Sequence, residues 1–234
     1  MVVCHNLKCI FVHIPRCAGS SINTWLFTSG SITEKKQKDY KFPNTHIMYG
    51  NLYTREGVYE LDHSTPEMFI KFVDQRYLDS YFKFTFVRNP WDRLLSEYLQ
   101  KKVHNDTRFI DTSQINFTDF VNILYEKFDE VLNGSQTHET ISHFIPQYKF
   151  VFDSSGQQFV DFIGKFENLV YDFKIVASKI DLMSVQLDKF NSTVHSNYAM
   201  YYNEKTINLV EQMYEQDILT FDYTFIPLAN SEYI

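Results

Sequence analysis

Arg16 lies in a run, His13-Ile14-Pro15-Arg16-Cys17-Ala18-Gly19-Ser20-Ser21, whose residue types suit the capture of an anion. A guanidinium, hydroxyls and a glycine stand between the β-prone stretch Ile10–Ile14 and apolar residues that resume at helical spacing through Trp25 and Leu26. That order predicts a strand, a tight loop and a helix start. Such a loop aims several backbone N–H groups and a helix N-terminus at one spot, with Arg16 and the hydroxyls beside them, which suits a phosphate or sulfate. The plainer reading is an ordinary strand–loop–helix connection capped by Ser20 or Ser21.

A second constellation follows Phe82, Phe84 and Phe86, which alternate as a strand does. Asn89 and Pro90 then supply a helix cap and a helix-starting proline, and Leu94, Leu95, Tyr98 and Leu99 turn inward. Arg88 falls at the carboxyl edge of the strand, where open α/β sheets bind ligands, and Ser96 lies along the helix that follows. Arg88, Arg93 and Ser96 are thus candidates for a second anion site. In the plainer reading Arg93 pairs with Asp92 or Glu97 on a wet surface.

His63 stands just before Ser64, Pro66 and Glu67, which have the spacing of a capped helix running to about Asp74. His138, Glu139, His143, Pro146 and Gln147 form another polar concentration, beside Phe144, Ile145 and Tyr148. His138 and His143 do not share a helix face, so zinc ligation is a poor reading and no metal is expected.

The elements that must position these groups alternate between strand and helix. A short strand is expected at 45–49, a helix capped by Thr118 through Leu132, a strand over Gln157–Phe166 and helices over Glu167–Leu182 and 203–219. The charge run from Glu34 to Asp39 reads as a solvated loop. The alternation predicts an α/β fold in three layers, with a mostly parallel central sheet flanked by helices.

The 234 residues suffice for one domain spanning 1–234, and 44% hydrophobic with 17% aromatic residues fit a folded chain. The first residues lack the basic and apolar regions of a signal peptide, and no 18-residue apolar stretch occurs, so a cytoplasmic protein without a membrane segment is expected. Cys4, Cys9 and Cys17 lack metal-ligand spacing and are expected as reduced thiols. A net charge of −7 argues against nucleic acid and against an anionic membrane surface as partners.

Together the two constellations resemble the sulfotransferase superfamily, in its carbohydrate-type branch with heparan sulfate 2-O-sulfotransferase and bacterial relatives. The first run is similar to that family's loop for the 5′-phosphosulfate of 3′-phosphoadenosine 5′-phosphosulfate (PAPS). Phe86-Val87-Arg88-Asn89-Pro90-Trp91-Asp92-Arg93-Leu94-Leu95-Ser96 resembles its 3′-phosphate segment. The resemblance implies a P-loop-like fold and a PAPS-dependent transfer of a sulfuryl group to a hydroxyl, on a carbohydrate, without a metal. It implies donor binding by Arg16, Cys17, Ala18, Gly19, Ser20, Ser21, Arg88 and Ser96, with Arg16 also catalytic. His63 is the expected general base, with Glu60, Asp62 and His143 as rivals. His143 and Gln147, in a segment similar to a family His-x-x-Pro-Gln element, are expected at the acceptor. Arg16 stands where the family has lysine and Cys17 where it has a hydroxyl, which bears on turnover more than on binding. Two other readings are a nucleotide or nucleoside kinase-like phosphotransferase, for which no Gly-x-x-x-x-Gly-Lys loop is present, and a non-catalytic nucleotide-binding module.

Overall fold

The computed structural model describes residues 1–29, 47–48, 51–54, 57–60, 62–133, 139–182 and 197–227. The charge run from Glu34 to Asp39, His138 and most of the polar segment 191–198 lie outside the described residues.

Among the described residues, seven strands and eleven α-helices follow one another as β1 (Val2–Cys4), β2 (Cys9–Val12), α1 (Gly19–Ser29), β3 (Ile47–Met48), β4 (Asn51–Thr54), β5 (Gly57–Glu60), α2 (Pro66–Phe69), α3 (Gln75–Ser80), β6 (Phe82–Val87), α4 (Pro90–His104), α5 (Phe117–Glu126), α6 (Phe128–Asn133), α7 (Glu139–Ser142), α8 (Tyr148–Val151), β7 (Phe162–Lys165), α9 (Leu169–Lys179), α10 (Glu204–Met213) and α11 (Glu215–Phe221). Five strands make one sheet in the order β3-β1-β2-β6-β7, and β4 pairs with β5 apart from it.

The α/β class expected from the sequence is present, but the sheet is mixed. β2, β6 and β7 run parallel, whereas β1 pairs antiparallel with both β2 and β3. Four residues join β1 to β2, too few for the crossover a parallel pair needs, so a hairpin is dictated. The sequence reading had no strand at 2–4, because three residues show no period.

Phe11 lies opposite Phe84, with rings 5.2 Å apart, and the same face carries Phe86 against Phe173 of α9, which meets Trp25 of α1 at 4.7 Å. Gly164 of β7 is opposite Phe86, and a Cβ there would fall 2.4 Å from the Phe86 ring. Ile10, Val12, Thr85 and Val87 point the other way and are buried too, so both faces of the central strands are covered. Among the described residues no helix is long and apolar enough to cross a membrane.

Three expected helices are shorter or divided. The one before Asp74 ends after α2, because the Asp74 carboxylate accepts from Arg76 N–H and caps a new helix, α3. The N-cap of α2 is Thr65, one residue after the expected Ser64, and Pro66 occupies the first turn as expected. Asn116, not Thr118, caps α5, and the chain breaks at Lys127 before α6, which turns Phe128 onto Tyr214. The last helix breaks at Tyr214, whose hydroxyl donates to the Phe144 carbonyl.

Candidate active site

The loop between β2 and α1 is built from residues that a left-handed backbone does not favour. Arg16 and Ala18 have φ of 67° and 65°, each costing about 1–2 kcal/mol for a residue with a side chain. The turn is closed by Cys17 N–H to the Ile14 carbonyl at 3.3 Å, and the helix ladder begins with Ile22 N–H to Ala18 at 3.1 Å. The amides of Gly19, Ser20 and Ser21 therefore precede the ladder, in the first turn of an 11-residue helix. Ala18, not Ser20 or Ser21, supplies the capping carbonyl. Gly19 is there for space: a Cβ would fall 1.6 Å from Nε2 of His13, so the imidazole rests directly on the backbone of the helix start.

The β6–α4 junction brings its cations to this loop. Asn89 caps α4 through its Oδ1, which accepts from Trp91 N–H at 3.1 Å, and this places Arg88 immediately outside the helix. The Arg88 guanidinium donates to Asp92 at 2.8 Å and to the Arg16 carbonyl at 3.1 Å, and lies 4.1 Å from the centre of the Phe166 ring. Arg16 in turn donates from Nε and Nη2 to the Ser96 hydroxyl at 3.1 and 3.0 Å, and its Nε is 4.0 Å from the Glu97 carboxylate. Burial lowers the pKa of Arg16; Glu97 opposes this, while Arg88 and Arg93 add to it. Positive charge is thus concentrated behind the loop.

Arg93 does something neither sequence reading expected. It is buried, and donates to the carbonyls of Pro15, His143 and Ile145 at 3.1, 2.9 and 3.1 Å, tying the loop to the segment before α8. A buried arginine that satisfies three carbonyls has no sequence signature beyond its helix register.

Gln147, expected at the acceptor, is wholly buried. Its Oε1 accepts from Arg88 N–H at 2.8 Å and its Nε2 donates to the Arg88 carbonyl at 2.8 Å, so one amide brackets the backbone of Arg88. The Cys17 thiol donates to the same Oε1 at 3.4 Å. Burial pushes that thiol up to about 12, so Cys17 stays protonated and acts as a weak donor inside the loop. Asp217 of α11 accepts from the N–H groups of Gln147 and Tyr148, both at 2.8 Å, and thereby anchors the bracket. Burial raises this carboxyl to about 6, against those hydrogen bonds.

Three histidines line up beside the loop. The rings of His13 and His63 are 4.5 Å apart and those of His63 and His143 are 5.0 Å apart. His63 Nδ1 donates to the His13 carbonyl at 3.4 Å. Burial, then the neighbouring His13 and His143, hold His63 well below the usual imidazole range. Burial likewise brings His13 down to about 3, helped by the chain's α-amino group, His143 and Arg16. His143 Nδ1 instead meets a carboxylate, Glu97 Oε2, at 2.9 Å. A cleft of about 440 Å³ opens here, lined by α4 from Glu97 to His104, by residues 105–108 and by His143.

The structure therefore brings Arg16, Cys17, Gly19, Arg88 and Ser96 together, with His63 and His143 on the flank. Glu97, expected only as a surface partner of Arg93, is instead buried between His143 and Arg16, directly after Ser96 in the sequence. The side chain of Glu60 lies outside the described residues, and among the described residues no cluster of His, Cys, Asp or Glu could hold a metal.

The sulfotransferase family profile matches residues 1–224. An uncharacterized protein of Archaeoglobus fulgidus is 32% identical over 128 residues, which make up 54% of this chain and 89% of that protein. No solved structure matches the chain.

Proposed function

The chain belongs to the sulfotransferase family, and from that premise we propose that it transfers the sulfuryl group of PAPS to a hydroxyl of a carbohydrate, releasing adenosine 3′,5′-bisphosphate. The observation that carries this reading is the closure of two strand–loop–helix junctions on one another. The Arg88 guanidinium is bonded to the backbone of the first loop, and Arg16 of that loop is bonded to Ser96 on the helix after Arg88. A ligand with two anionic groups on one nucleoside would span such a pair of junctions.

In this reading the backbone at the start of α1, from Ala18 to Ser21, and the Arg16 guanidinium hold the 5′-phosphosulfate, Cys17 shapes the loop with its N–H turned back to the Ile14 carbonyl, and Arg88 and Ser96 hold the 3′-phosphate. The arrangement fits an anionic donor, because Arg88 and Arg93 lie close enough to Arg16 to add to the cost of its charge, which a bound anion relieves. As the sulfur–oxygen bond to the 5′-phosphate breaks, negative charge grows on the leaving oxygen. Donors already aimed at that spot stabilise it without reorganising. Gln147 keeps Arg88 in register from beneath, as a positioning residue.

Thermal shift and calorimetry with adenosine 3′,5′-bisphosphate, against ATP with magnesium, test the reading. Stabilisation by the bisphosphate, and its loss in Arg88→Ala, is the expected result; a response to ATP with magnesium alone would sink it in favour of a kinase. Transfer of radiolabelled sulfate from PAPS to a glycan panel then separates an enzyme from a binding module.

A further inference from the structure

Glu97 touches both sides of the proposed reaction through a single oxygen. Its Oε2 meets His143 Nδ1 at 2.9 Å and lies 4.0 Å from Nε of Arg16, the cation of the donor loop. Burial pushes the Glu97 carboxyl up, but His143, Arg16 and Lys101 outweigh that and hold it below the usual range, so it is ionised. An ionised carboxylate at Nδ1 keeps the proton of a neutral imidazole on that nitrogen. It leaves the lone pair on Nε2 and stabilises the imidazolium when Nε2 gains a proton. His143 Nε2 makes no hydrogen bond among the described residues, and the side chain, 24% exposed, lines the cleft beside α4.

The His63 ring meets those of His13 and His143, its Nδ1 donates to a backbone carbonyl, and it is not among the residues that line the cleft. Around His143 stand Glu97 from α4, which meets its Nδ1, His63 from the segment before α2, whose ring it meets, and His13 from the loop after β2, while Arg16 and Lys101 act on Glu97.

We infer that His143 is the general base that deprotonates the acceptor hydroxyl, that Glu97 is the residue that positions it, and that the cleft along the second half of α4 seats the acceptor. The assignment rests on the sulfuryl-transfer reading above. Nε2 of His143 takes the hydroxyl proton as the acceptor oxygen bonds to sulfur. The sulfur–oxygen bond to the 5′-phosphate breaks, and its electron pair leaves with the phosphate. The products are the sulfate ester, adenosine 3′,5′-bisphosphate and a proton that His143 passes to solvent.

The lining also indicates the acceptor's charge. Lys101 and Arg108 are both turned onto Asp106, at 3.6 and 3.0 Å, and Lys101 donates to the Arg108 carbonyl at 2.7 Å. With its charges matched internally, the cleft presents Gln100, Asn105 and Thr107 as amide and hydroxyl partners, which suit an uncharged, hydroxyl-rich acceptor.

The test uses His143→Gln and Glu97→Gln in the full chain. Release of bisphosphate from PAPS is followed with methyl glycosides and with water as acceptors, and bisphosphate affinity by calorimetry. NMR of isotope-labelled histidine reads the tautomer. The expected results are a fall in kcat of about a hundredfold or more for His143→Gln with bisphosphate affinity kept within about threefold. For Glu97→Gln kcat falls about tenfold while the bisphosphate binds equally well or more tightly, because a negative charge beside Arg16 is gone. His143 should carry its proton on Nδ1 in the wild type and lose that preference in Glu97→Gln. Wild-type kcat in His143→Gln, or an Nε2–H tautomer in the wild type, overturns the assignment. Failure of the wild-type chain to bind bisphosphate instead removes the donor reading, and the tautomer measurement stands apart from it.

Discussion

Arg16 Nε and Nη2 lie 3.1 and 3.0 Å from the same hydroxyl oxygen, that of Ser96, across 80 positions of sequence. The residue proposed for one phosphate thus holds the residue proposed for the other. The two candidate anion sites share a wall, and a substitution on either side of it reaches both.

Ser96→Ala removes the hydroxyl that accepts two guanidinium N–H groups in a buried place. We expect a loss of about 1–3 kcal/mol in unfolding free energy together with weaker bisphosphate binding. Urea midpoints and calorimetry measure the two effects. If neither changes, the contact carries no energy.

Gly19→Ala places a methyl group where Nε2 of His13 already lies, 1.6 Å from the ideal Cβ position. Either the imidazole or the helix start must move, at a cost of about 1–3 kcal/mol. Donor affinity should fall with it. The double variant His13→Ser with Gly19→Ala should recover most of the stability, since the obstruction is one ring. Simple additivity of the two losses would show that Gly19 matters for another reason.

Gln147→Leu leaves the Arg88 N–H and carbonyl without the amide that brackets them, inside a fully buried site. A destabilisation of about 2–4 kcal/mol is expected, with weaker bisphosphate binding because Arg88 is no longer held. An acceptor-binding role would look different: the acceptor KM would rise in a chain of unchanged thermal stability.

Stability should decline on acidification from near pH 6.5. His13, at about 3, and His63, well below its usual range, stay neutral in the folded chain long after unfolded imidazoles have taken a proton. The unfolded state then binds more protons, and stability falls as the pH falls, with each imidazole adding a slope of up to about 1.4 kcal/mol per pH unit. Asp217 acts the other way: raised to about 6, it keeps a proton that the unfolded chain has released, so its contribution falls as pH rises from about 4 to 6. One carboxyl against two imidazoles leaves the acid side less stable. Urea midpoints between pH 7.5 and 4.5, taken as about the useful range, should show a shallower decline in His63→Gln, and an unchanged slope would refute the account.

Local features were readable wherever neighbouring residues decide the conformation. The alternation of Phe82, Phe84 and Phe86 marked β6, and Asn89 before Pro90 marked the start of α4, because capping and pleating are set within a few residues. The division of the expected 118–132 and 203–219 helices was not readable, since Phe128 and Tyr214 turn inward to reach partners distant in sequence. The left-handed loop was equally hidden, as Arg16 and Ala18 are not residues that announce a positive φ.

The sequence by itself determined the α/β class and the family, and it singled out Arg16, Arg88 and Ser96, since each depends on residue types in a fixed order along a strand, loop and helix start. Only the tertiary structure decided which groups meet. Gln147 became a buried bracket for Arg88, and Arg93 a tie between the loop and the segment before α8. Glu97 became the partner of His143 across 46 positions. Hydrogen bonds of that kind reward geometry between segments that the order of residues does not encode, and burial then sets which groups stay neutral and which stay charged.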